Sequence, residues 1–296
     1  MYDRPPIACH HDFSQAALDV RAFPPNVRFV HPHLKTGWGK WSLVQASLDG
    51  IRLLYDGADP GWFVLLSAAD YPIRPAAAVL EDLRRTTADV LIDYREIPML
   101  GDPLVPSGTR AEHAQHGSPD NVRLNRSRFL HLIAKVPLIR FRPPFESTTA
   151  STGVRVGAHT LTFPVRPPFS PFRNGFRCFV GSQWFTARAA FARKLIAGGP
   201  AQRRLARHLR HRVVPDECFF QSLACNDAEL RVDPDPRRFV QWGAGGAHPA
   251  DLTIADLDTL RGSGDHFARK FGPDMAVRDR LDALNGVSLP AKTIQP

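Results

Sequence analysis

Trp62-Phe63-Val64-Leu65-Leu66-Ser67 runs directly into Ala68-Ala69-Asp70-Tyr71-Pro72-Ile73. The first half is a continuous apolar run, the pattern of a strand buried on both faces of a parallel sheet. It gives way at Asp70, where a strand of an open α/β sheet meets its ligand side. Asp before Tyr-Pro is also an ordinary turn choice, so position alone leaves a site role and a turn role both open. Upstream, Leu43, Ala46, Leu48, Ile51 and Leu54 fall at helical spacing. Downstream, residues Ala76 to Arg85 read as a helix and Asp89 to Tyr94 as another strand. This β-α-β-α rhythm predicts an α/β fold with a central, mostly parallel sheet.

Further out, Pro6 to Asp12 and Asn26 to His31 read as strands, and Ser14 to Arg21 as a short helix. Residues 98–171 are rich in Pro, Arg, Ser and Gly and lack periodicity, apart from a basic helix expected over Asn121 to Ile133. That suits an irregular insertion on the acceptor side of a site. Order resumes with the segment Arg177 to Phe185, helices over Arg188 to Ile196 and Ala201 to His211, and strands over Leu230 to Val232 and Arg237 to Trp242. One domain over 1–285 and a tail over 286–296 are expected.

The chain has 296 residues, 43% hydrophobic and 23% charged, a globular rather than a disordered balance. No apolar run approaches the ~20 residues that span a bilayer, and Met1 to His10 has no signal-like apolar region. Cys9, Cys178, Cys218 and Cys225 form no CxxC pair. A disulfide framework or zinc site is therefore not expected, and a reduced, cytoplasmic compartment fits. The net charge of +9 points to an anionic partner: nucleic acid, anionic lipid or a phosphate-bearing small molecule.

The chemistry-bearing stretch is Val213-Val214-Pro215-Asp216-Glu217-Cys218-Phe219-Phe220-Gln221. Proline followed by acids reads as a helix start, where Asp216 and Glu217 complement the dipole. The functional alternative holds one carboxylate beside a buried aromatic wall, where it could act as a general base with a raised pKa. Glu217 has the reach for that role. Asp216, about 100° round the helix, suits the dipole or a cap at the helix start, so its loss is expected to cost mainly stability. His10-His11-Asp12 carries adjacent histidines that a strand points to opposite faces, against a metal site. Asp233-Pro234-Asp235 lies in a proline turn after the candidate base and reads as a loop. Trp38 and Trp184 are candidates for pocket walls or for core. The basic helix from Arg203 to Arg212 reads as a solvated face, or one that touches an anionic acceptor or membrane surface.

Four ordered stretches carry a family resemblance: Leu66 to Ile73, Gly181-Ser182-Gln183-Trp184-Phe185, Pro215-Asp216-Glu217 with Phe219-Phe220, and Phe267-Ala268-Arg269-Lys270-Phe271. Trp38-Gly39 with Ser42 adds a Trp-Gly-x-x-Ser segment. Together they make the chain similar, over roughly residues 7 to 280, to the core-2/I-branching N-acetylglucosaminyltransferase and peptide O-xylosyltransferase family, glycosyltransferase family fourteen. The resemblance implies a GT-A-like nucleotide-sugar fold and an inverting transfer of N-acetylglucosamine or xylose from a UDP-sugar to an acceptor hydroxyl. It also implies catalysis without a divalent metal or other cofactor. It places Asp12 at the uracil or ribose, Thr36, Gly37 and Trp38 in a nucleotide-contacting turn, and Asp70, Gln183 and Trp184 in the donor site. Glu217 matches the base, and Arg269 and Lys270 match the basic pair at the diphosphate.

The family pattern also has a strand and helix ahead of its His-x-Asp strand, which this chain begins too late to contain. Gln241-Trp242 and His248-Pro249 depart from its later motifs. The expected partners are the UDP-sugar and a glycan or glycoconjugate acceptor, with peripheral membrane contact. Two alternatives stand beside this reading: a catalytically impaired donor-binding relative, and a basic nucleic-acid-binding protein. Against the second, aromatics are not interleaved with the basic runs.

Overall fold

The computed structural model describes residues 4–97, 126–130, 132–139, 156–165, 170–242 and 249–287. Residues 288–296 of the expected 286–296 tail, His248 and most of the 98–171 insertion lie outside these residues.

Leu91 and Ile92 are fully buried, as the apolar run in this part of the sequence requires. They lie on strand β5 (Val90–Ile92), inside a four-stranded sheet. Its other members are β3 (Trp62–Val64), β10 (Phe185–Arg188) and β11 (Val232–Asp233), in the order β11-β5-β10-β3. β11 runs parallel to β5, whereas β10 is antiparallel to both of its neighbours. A second sheet joins β12 (Arg238–Val240), β13 (Phe267–Arg269) and β4 (Asp70–Pro72), with β12-β13 parallel and β13-β4 antiparallel. The α/β class stands, but the expected mostly parallel sheet is a mixed one. Apolar runs report burial and not direction. A later segment, β10, slots between two strands that the sequence rhythm had placed side by side.

Helix α1 (Trp41–Tyr55) buries Val44, Leu48 and Ile51 on one face, as the spacing predicts. Helix α2 (Ala76–Arg85) buries Val79 and Leu83. Helices α3 (Ala189–Ala197), α4 (Pro200–Leu209) and α5 (Asp216–Cys225) complete the main layer. One core cluster joins α1, α3, α4 and α5 to the four-stranded sheet. Phe63, Phe185, Phe191, Phe219 and Phe220 form its centre. A second core lies under the other sheet, built from Ile73, Phe239, Ala268 and Phe271 with Leu260, Val277 and Leu281. Those last three residues come from helices α6 (Leu257–Gly262) and α7 (Ala276–Leu284).

Ahead of α1, β1 (Ile7–Cys9) pairs in parallel with β2 (Val27–Phe29). The helix expected over 14–21 is a turn followed by a short 3-10 segment, Val20–Ala22. Asp19 and Pro24-Pro25 leave a longer helix little to build on. The expected basic helix at 121–133 is replaced, where described, by a π-helical turn at Arg126–Leu130 and the strand β7 (Leu132–Ile139). β7 pairs antiparallel with β8 (Val156–Val165). The turn buries Phe129 and Leu130 in the main core, so this part of the insertion is anchored. A short pairing of β6 (Arg95–Glu96) with β9 (Phe179–Val180) closes the sheet edge beside α5.

Candidate active site

The start of α5 is a strained turn. Val214 is left-handed at φ 51, a conformation that costs an L-residue roughly 1–2 kcal/mol and is rare for a β-branched one. Two contacts hold it. Its N–H donates to the Gly39 carbonyl at 2.9 Å, and its side chain is buried. The strain fixes the direction in which Pro215, Asp216 and Glu217 leave the turn. Behind them Cys218, Phe219 and Phe220 are fully buried, with Phe219 edge-on to Trp41 at 5.2 Å.

Both acids feel that wall. Burial pushes the Glu217 carboxyl up to about 7; the neighbouring charges of Asp216 and Asp93 add to this, and Arg128 opposes it. Burial pushes Asp216 up to about 6. The expected cap role is corrected: Pro215, not Asp216, occupies the cap position, while Asp216 lies buried in the first turn with one carboxylate oxygen lacking a partner. Glu217 is the more accessible of the two.

The loop Gly181–Trp184 links this helix start to the second sheet. Gly181 N–H donates to the Glu217 carbonyl at 2.9 Å, and Ser182 N–H to the Asp93 carboxylate at 2.9 Å. Gln221 on α5 donates to the Ser182 carbonyl at 2.7 Å. A Cβ at position 181 would lie 2.1 Å from the Asp93 carbonyl oxygen, so only glycine admits this approach. Gln183 reaches Ser47 on α1 at 3.4 Å. The Trp184 ring carries the Arg269 guanidinium 4.8 Å above its centroid, a cation–π contact.

Arg269 ends β13 directly opposite Asp70 of β4. The Asp70 carboxylate pairs with Arg238 at 3.0 Å and lies 3.9 Å from Arg269, and it accepts the Ser67 N–H. The side chains of Asp70 and Arg238 are 0% and 1% exposed, while Arg269 keeps 18%. Asp70 is thus at the site but sealed from any donor; it holds the arginines in place. Lys270 is half-exposed and pairs with Asp251 at 3.3 Å.

At the far end, the Asp12 carboxylate accepts from the Ser14 hydroxyl at 2.6 Å, the Thr36 N–H at 2.7 Å and Gln15 at 2.8 Å. The Ser14 and Thr36 bonds hold its carboxyl well below the usual range. Asp12 therefore pins the Thr36 turn. Gly37 N–H donates to Ser42 Oγ, which explains the Trp-Gly-x-x-Ser spacing as a turn closed onto α1. Trp38 is 76% exposed, so its ring is neither core nor the wall of an enclosed pocket. Asp233 ends strand β11 rather than lying in the expected loop, which starts at Pro234; Asp233 and Asp235 are engaged by Arg237 at 3.6 and 2.6 Å.

Three residues at the site escaped the sequence reading. Asp93 directly follows the apolar strand β5 and Arg238 opens β12, each setting a charge at the end of an apolar run, a signal that was available. Arg128 comes from a segment without periodicity, and no local signal marks it.

The Core-2/I-Branching enzyme family model matches residues 8–98 and 154–260, more than half of the chain. Among curated proteins, the chain is 26% identical over 235 residues to Beta-glucuronosyltransferase GlcAT14A of Arabidopsis thaliana, covering 78% of this chain and 44% of that one. It is 25% identical over 236 residues to Beta-glucuronosyltransferase GlcAT14B of the same plant, covering 78% and 45%. The chain spans less than half the length of these relatives. The matched residues hold both the 181–184 loop and Glu217, and with that match the chain belongs to the Core-2/I-branching enzyme family.

Proposed function

We propose that this chain is a glycosyltransferase that moves a sugar from a UDP-sugar to an acceptor hydroxyl, with inversion and without a divalent metal. The observation that carries this reading is Glu217: a carboxyl raised to about 7 by burial, on a strained turn tied to the loop that seats Trp184 and Arg269. A base with a pKa near neutrality is ionised often enough to act and basic enough to take a proton. Glu217 removes the acceptor proton as the acceptor oxygen bonds to the anomeric carbon. The bond from that carbon to the diphosphate oxygen breaks, and UDP leaves with the electron pair. Arg269 and Lys270 stabilise the charge that develops on the diphosphate, fixed cations serving where other transferases use a metal. Asp70 and Arg238 orient Arg269. Asp12 and Thr36 shape the turn at the nucleotide end.

N-acetylglucosamine and xylose are the donors that the motifs suggest. The name of the two relatives adds glucuronic acid, and its "beta" agrees with inversion of an α-linked donor. The test is release of UDP from UDP-N-acetylglucosamine, UDP-xylose and UDP-glucuronic acid over a panel of glycan acceptors, with and without EDTA. Turnover of one donor in EDTA is expected. UDP binding with no turnover of any donor would identify a donor-binding relative instead, and turnover that needs added manganese would overturn the metal-free mechanism.

A further inference from the structure

Two stretches of this chain contain no acid at all: residues 20–48, with Arg21, Arg28, Lys35 and Lys40, and residues 197–215, with Arg203, Arg204, Arg207, Arg210 and Arg212. Arg21 and Arg28 are paired with Asp19 and Asp56, and the fold brings the Gly39–Trp41 part of the first stretch beside the second. Val214 is hydrogen-bonded to Gly39 at 2.9 Å, and the Val213 side chain lies 3.7 Å from where a Gly39 Cβ would stand. Arg210 lies 5.8 Å over the Trp41 ring.

Helix α4 meets the core through Leu205 and Leu209 and turns Arg203, Arg204 and Arg207 outward, with Arg210 just beyond its end. None of these four has an acid partner among the described residues, although most other exposed arginines described are paired, such as Arg52 with Asp49 and Arg193 with Asp59. The row is about 10 Å long at the α-helical rise. At its Arg210 end stand two of the most exposed apolar side chains in the chain, Trp38 at 76% and Val213 at 56%.

We propose that this face is a docking surface for an anionic lipid membrane, with α4 lying along the headgroups and Trp38 and Val213 entering the interface. Unpaired arginines attract acidic headgroups, and an indole prefers the boundary between headgroup and acyl chain. A glycan or nucleic-acid strand fits less well. Sugar hydroxyls need amides and carboxylates around the aromatic, but the face carries no acid, Gln202 is buried and bonded to Leu195, and the Ser42 hydroxyl is taken by Gly37. A nucleic acid would have no use for Val213. The proposal does not depend on the catalytic reading.

The test is co-sedimentation of the full chain with phosphatidylcholine vesicles, with and without phosphatidylglycerol, alongside competition by a soluble polyuronate and by duplex DNA. Binding only to the anionic vesicles is expected. Replacing Arg203, Arg207 and Arg210 together with Ala should weaken it on the order of 100-fold, with an unchanged thermal melt as the check on folding. A blue shift of tryptophan emission on vesicle addition is expected, and it should disappear in Trp38→Phe. Equal binding to neutral vesicles, displacement by polyuronate or DNA at comparable charge, or an emission that does not respond at Trp38 would each overturn the proposal.

Discussion

Replacing Glu217 by Gln should abolish turnover and, at alkaline pH, stabilise the fold. Burial raises the carboxyl from 4.5 to about 7, so the folded state binds a proton that the unfolded state has released between those values. Where the folded state binds more protons, stability falls as pH rises. The wild-type chain therefore loses stability from about pH 4.5 up to about pH 7, and the loss is complete above that. At about 1.4 kcal/mol per pKa unit, the shift corresponds to about 3 kcal/mol, an upper figure because Asp216 shares in it.

Glutamine keeps the size and removes the charge. Glu217→Gln should therefore match the wild type near pH 4.5 and exceed it at pH 8 by up to about 3 kcal/mol, a rise of roughly 2–4 °C in Tm per kcal/mol for a chain of this size. Turnover should fall by about 10²–10⁴ with UDP affinity nearly unchanged. The assay is a pair of thermal melts at pH 4.5 and pH 8, together with UDP release and UDP titration. A Tm difference that is the same at both pH values would refute the buried-carboxylate reasoning, and retained turnover would refute the assignment of the base.

Asp216→Asn should likewise be no less stable than the wild type at pH 8, because Asp216 is a buried carboxylate raised to about 6. Since its charge also raises Glu217, the midpoint of the kcat/KM–pH profile should move down; an unmoved midpoint would show that the two acids do not communicate. Gly181→Ala should be destabilising by several kcal/mol, because its Cβ would stand 2.1 Å from a backbone oxygen that cannot rotate away; a variant with wild-type Tm and turnover would show that the loop is looser than described. Arg269→Ala should weaken UDP binding by about 1.5–3 kcal/mol, and Lys270→Ala by less, being half-exposed and already paired with Asp251. Isothermal titration in EDTA reads both, and an unchanged affinity in Arg269→Ala would remove it from the diphosphate site.

Helices α1 and α2 were legible because one face of each is apolar at a period of 3.6, and nothing else in the fold competes with that signal. The buried strands were legible as strands, but their directions were not. Val64 and Phe185 look alike in sequence whether the strands run together or opposed, and the antiparallel insertion of β10 depends on where the 181–184 loop is tied down. Among the candidate residues, those with a local signature lie on the element that signature suggests: the Pro-acid stretch opens α5, and the basic pair follows Phe267 at the end of β13. Roles were harder to read, because a role depends on what stands opposite. Asp70 looked like a donor contact at the end of its strand, yet the cross-strand register sets it against Arg269 and buries it beside Arg238. Trp38 looked like a pocket wall, yet the Gly37–Ser42 bond turns its segment outward.

Two buried sites treat their acids differently. Asp216 has an orphan oxygen and no ion pair among the described residues, and Glu217 has Arg128 as its one opposing charge among the causes of its shift. Asp70, by contrast, is paired with Arg238. An unpaired buried carboxylate costs stability whenever it ionises, so a fold that needed only stability would pair both. Asp70 shows that this chain can supply a buried arginine to a carboxylate. Pairing Glu217 in the same way would lower its pKa and make it a poor base. The proposed base role of Glu217 rests on this contrast between a paired Asp70 and an unpaired Glu217, which are joined through Trp184 and the 181–184 loop. Charge reversal at Asp93, the residue that braces this loop, should disturb both properties together.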